Sequence, residues 1–114
     1  MSKILEISLI VLAALAVGLA DIIIKKETFS VDSLSAALKN PLTILIILLY
    51  CVQIVIFSFL FVRKAELGIV GIMQTALYAV IVVASGILFF HEKITLIHMV
   101  GVALAILGVV FVNL

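Results

Sequence analysis

The chain has 114 residues, of which 68% are hydrophobic and 11% charged, with a formal net charge of +1 and a mean hydropathy of +1.59. Soluble domains are nearer half apolar and a quarter charged, so the composition excludes an ordinary water-soluble fold. A charge so near zero gives no basis for a nucleic-acid partner.

Four apolar runs occupy almost all of the chain, at 4–24, 42–62, 67–90 and 94–114. At about 1.5 Å per helical residue each reaches about 30 Å or more, the thickness of a bilayer's hydrocarbon core. The expectation is an all-α integral membrane protein of four transmembrane helices in an up-down bundle, with 1–114 as a single membrane domain. The first run begins like a signal sequence, with Lys3 ahead of it. It continues to Ile24, longer than a signal core, so a retained helix is expected. On it, Ala14, Gly18, Asp21 and Lys25 share one face. Asp21 and Lys25 stand four residues apart in the order that favours a helical ion pair. They are read either as a helix-end pair reaching for the interface or as a cation or head-group site. Glu6 at the other end is expected at the interface.

Residues 25–40 form the one long connection, expected to lie at the interface, and Asp32 to Leu38 can make a short helical turn with Leu34 and Leu38 on one side. Asn40-Pro41 reads as the cap and first position of the second helix. That helix carries Tyr50, Gln53 and Phe57 near mid-membrane, with the lone Cys51 beside them. The third run carries a polar stripe of Gly71, Gln74, Tyr78 and Ser85. An amide or phenol at that depth must find a partner. Two Gln–Tyr pairs at matching depth either bond each other across helices or line a polar cavity. His91-Glu92-Lys93 reads as a solvated hairpin, Thr95 as the next helix cap, and His98 as a headgroup-level histidine.

In the fourth run Gly101, Ala105 and Gly108 make a small-residue face, on which another helix can approach closely in lipid. It is expected to be a dimer contact, the other reading being packing on the third run. Lys3, Arg63 and Lys64 on one membrane face balance Lys25, Lys26, Lys39 and Lys93 on the other. That near balance leaves a single orientation and insertion in both orientations equally open. No nucleophile–base pair and no metal-ligand set stands in the sequence, so neither an enzyme nor a cofactor is expected.

Gly68-Ile69, the apolar stretch after it, Phe90-His91-Glu92-Lys93-Ile94-Thr95 and Gly101-x6-Gly108-Val109 resemble the end of a drug/metabolite transporter repeat, nearest the EamA branch. The resemblance covers the C-terminal half well and the rest in outline. Length and helix count are similar to small multidrug resistance proteins and lipid-linked aminoarabinose flippase subunits. It implies a dimer, antiparallel in the multidrug branch, with Gly101 and Gly108 on the dimer helix. A heterodimer with a similar four-helix subunit is the other arrangement. Two departures from the multidrug branch are plain. Residues 13–18 hold no acid where that branch has an intramembrane Glu, and Gly71 and Gln74 stand where Tyr and Trp are expected. Asp21 and Lys25 match the spacing of an amide and a Lys in the flippase subunits, with an acid in place of the amide.

The leading expectation is a multi-pass transporter of the cytoplasmic membrane, working by alternating access. Its substrate would be a small polar metabolite or a polyprenyl-phosphate sugar. Tyr50, Gln53, Gln74 and Tyr78 would form the site and Asp21 and Lys25 its mouth. The rivals are a cation or drug exporter that uses Asp21 as coupling acid, and a non-transporting accessory subunit.

Overall fold

The computed structural model describes residues 2–29 and 31–114. Every regular element among them is helical: α1 (Lys3–Thr28), α2 (Leu34–Leu38), α3 (Leu42–Val62), α4 (Leu67–Phe90) and α5 (Leu96–Val112). Three of these, α1, α3 and α4, are long and apolar enough to cross a membrane. Their outward Leu, Ile and Phe side chains lie exposed along their length, which fits a lipid environment and not water.

The ends of the helices follow from local chemistry. Ser2 caps α1, its hydroxyl accepting from the Leu5 N–H at 3.1 Å, and Lys25 and Lys26 occupy the last turn, where cations meet the negative end of the helix dipole. The helix runs one turn past the apolar stretch because these lysines favour its C-terminus. The Asn40 side chain accepts from Leu42 N–H at 3.0 Å while Pro41 is already helical at φ −56°. α3 ends with Lys64 left-handed at φ 69°, Ala65 N–H bonding Leu60 C=O and Lys64 N–H bonding Phe61 C=O. This is a Schellman closure built without glycine. α4 ends on a left-handed His91, and the N–H groups of His91 and Glu92 both donate to Gly86 C=O.

The expected fourth span, 94–114, is shorter in the structure. Thr95 caps α5 by accepting from His98 N–H, so the helix starts at Leu96 and has 17 residues. At about 1.5 Å each these reach about 26 Å, less than the hydrocarbon thickness of about 30 Å. No α5 residue is buried.

α1 lies at the centre, packed on both α3 and α4, and α5 packs on α4. The whole measures 46 × 36 × 17 Å. The arrangement is flattened, its shortest extent less than half of either of the others. The apolar core gathers where α3 and α4 turn into each other: Ile10 and Ala13 of α1 meet Ile56, Leu60, Val70 and Met73. The polar groups lie farther along α1, beyond that core.

Candidate functional site

The site depends on α1 being thin on one side. Leu12, Leu15 and Leu19 face outward and are exposed, whereas Ala13, Ala14, Val17 and Gly18 are buried. At Gly18 a Cβ would stand 2.6 Å from Cγ2 of Ile81, so only glycine lets α4 approach this closely. Asp21 follows one turn later on the inward side.

Two tyrosines converge on it. Tyr50 of α3 donates to Asp21 Oδ1 at 2.5 Å, and Tyr78 of α4 donates to Asp21 Oδ2. The length of a phenol makes this possible, since α3 and α4 flank α1 and each must reach its short carboxylate from its own side. Hydrogen bonds to a carboxylate are shorter and stronger than neutral ones. One turn deeper, Gln74 Nε2 donates to Gln53 Oε1, closing a bridge from α4 to α3. Gln74 Oε1 is buried without a partner among the described residues. Val17, Gln53, Gln74, Thr75 and Tyr78 line a cavity of about 180 Å³.

Five of the six expected substrate-site residues are thus brought together: Asp21, Tyr50, Gln53, Gln74 and Tyr78. The two Gln–Tyr couples do bond across helices, but through the glutamines alone, and both tyrosines go to the acid. The sixth, Lys25, turns away. The expected Asp21–Lys25 ion pair is not formed; Lys25 Nζ lies 2.5 Å from Glu92 Oε2. Lys25 projects beyond the phenols that already occupy Asp21, and the hairpin after α4 offers it a carboxylate. The rings of Phe90 and Phe29 lie 5.2 and 6.0 Å from the ammonium, a cation–π setting at an exposed pair.

The hairpin 91–93 is therefore more than a solvated turn, and Glu92 is the residue whose role the sequence reading missed. A signal was present, because the charge count already put Lys25 and this hairpin on the same membrane face. Glu27 was missed too. It is 7% exposed and its Oε1 takes a hydrogen bond from Thr43 at 3.2 Å, tying α1 to the start of α3 beneath α2.

The rest of the α4 stripe divides. Ser85 is buried on the Asp21 side, while Gly71 faces a groove of about 590 Å³ between α4 and α5. Ala105 and Gly108 line the same groove, and Gly101 is exposed. Leu34 and Leu38 of α2 are exposed together, and His98 is exposed near the start of α5. Among the described residues no group of three or more His, Cys, Asp and Glu side chains gathers as a metal site. Family models, curated proteins and solved structures give no match to the chain.

Proposed function

We propose that the chain is a small membrane transporter that works as a dimer by alternating access. Its substrate is a small polar metabolite or a polyprenyl-phosphate sugar. One observation carries the reading: side chains from three apolar helices meet in a polar cluster, Asp21–Tyr50–Tyr78 and Gln53–Gln74, beside a cavity large enough for a polar group. Polar groups within the membrane are costly and tend to mark substrate or ion pathways. Gln74 Oε1, buried and unpartnered among the described residues, keeps hydrogen-bonding capacity that a hydroxyl or amine of a substrate can use.

A thermal-stability screen of the purified protein against polyprenyl-phosphate sugars, polar metabolites and hydrophobic cations would identify a binder. Transport of that compound into proteoliposomes is then expected to be abolished in Gln53→Leu/Gln74→Leu, with the protein still folded. Full transport by the double mutant would sink the assignment. A protein that is stable and active only with a copurifying partner would favour an accessory subunit.

A second reading, export of cations with Asp21 as coupling acid, has an observation of its own. No cationic side chain among the described residues pairs with Asp21, because Lys25 is engaged by Glu92. Under that reading Asp21→Asn loses pH-dependent cation binding. Hydrophobic cations that bind without releasing protons would rule it out.

A further inference from the structure

Beyond the glutamine bridge the structure holds a second, smaller polar space. It lies toward the C-terminal ends of α1 and α4, measures about 60 Å³, and is lined by Asp21, Lys25, Ser85, Gly86, Phe90 and Glu92, among others. One water needs about 10–15 Å³ of such space, so it suits a few waters or an ion with part of its shell.

Three independent features describe what would fill it. Ser85 is 9% exposed and lines the space, yet its hydroxyl makes no hydrogen bond with any described residue, not even the usual one to a carbonyl of the preceding helical turn. Next, the carboxylate oxygens are only partly engaged. Each oxygen of Asp21 takes one phenol proton, which leaves further lone pairs. Glu92 gives Oε2 to Lys25, whereas its Oε1 lies directly over Gly86, on ground that any Cβ would occupy. The third feature is charge: two carboxylates and one ammonium leave the lining at about −1. Oxygen donors without imidazole or thiolate select hard cations, and a divalent ion would overcompensate a residual charge of this size.

We propose that this space is a binding site for one small alkali-metal cation. Asp21, Ser85 and Glu92 supply the oxygens, and the Lys25–Glu92 pair with Phe90 covers the site at the membrane surface. The ion neutralises the charge that the single Lys25 ammonium leaves uncompensated in this space. The site does not rest on the transport reading, and its test measures binding alone.

The full chain, purified in mild detergent, would be unfolded thermally at rising NaCl or KCl. Choline chloride would hold the ionic strength constant. A saturable rise of about a few degrees with Na⁺ or K⁺ is expected. Ser85→Ala, which keeps the helix and removes only the hydroxyl, should raise the half-saturating concentration at least tenfold, and Glu92→Gln should do the same. Gln53→Leu/Gln74→Leu should respond like the wild type, separating this site from the bridge. Isothermal titration of NaCl into wild type and Ser85→Ala gives a second readout, independent of unfolding. No alkali-specific response, or a Ser85→Ala protein that titrates like the wild type, would overturn the proposal.

Discussion

Tyr78→Phe removes one phenol from Asp21 and nothing else, so it tests the centre of the site directly. Interhelical hydrogen bonds between neutral groups in membranes average about 0.6 kcal/mol, whereas a bond to a charged group is worth about 1.5–3 kcal/mol. The structure decides which value applies. Both phenols end on one carboxylate, which forms no ion pair among the described residues, so the charge-assisted value is expected. Tyr78→Phe should destabilise by about 1.5–2.5 kcal/mol, and Tyr50→Phe similarly. The pair together should exceed the sum of the singles, because the carboxylate then loses both donors inside the membrane. In an Asp21→Asn background the acceptor is neutral, and Tyr78→Phe should fall to about 0.5–1 kcal/mol. Equilibrium unfolding in detergent measures all five variants on one scale. An equal effect of Tyr78→Phe in both backgrounds, or one within about 0.3 kcal/mol of zero in the wild type, would refute the charge-assisted account.

Two further changes test the packing and the turns. Gly18→Ala places a methyl 2.6 Å from Ile81 Cγ2; overpacking of about 1–3 kcal/mol, less about 1 kcal/mol of helix propensity, leaves a net loss of up to about 2 kcal/mol. Ile81→Ala in the same chain removes the clash, so the two mutations should couple by at least about 1 kcal/mol, and strict additivity would contradict the close approach. Lys64→Gly relieves a left-handed residue at φ 69° and should stabilise by about 0.5–1 kcal/mol. A midpoint of unfolding that stays or falls would count against that strain.

The limits of α3 and α4 were legible because both are mainly apolar runs set off by Asn40-Pro41, Arg63, Glu66 and His91, and hydropathy marks such edges. Asp21 was legible as an exception within lipid, but its partners were not. Sequence spacing ranks neighbours on one helix, so it offered Lys25. The rotation of α1, which turns Asp21 between α3 and α4, depends on how Gly18 and Ala14 let those helices close in. The glutamines and tyrosines were placed at matching depth, and the glutamine bridge follows from that, whereas the turn of both tyrosines to Asp21 was missed because rise per residue gives depth, not azimuth. Lys64 and His91 carried no mark of their left-handed turns, since glycine is the usual signal there. The 94–114 run looked long enough to span because composition counts residues on both sides of the caps, whereas Thr95 and Asn113 bound the helix at Leu96–Val112.

A layer 17 Å thick bears on the transport reading in a definite way. The proposed alternating access needs a site that protein surrounds on all sides in turn, which a flattened set of helices gives only with a second copy against it. The polar cluster is held by α1, α3 and α4, while α5 buries none of its residues and leaves a groove against α4. The proposed dimer would supply the helices of that second copy.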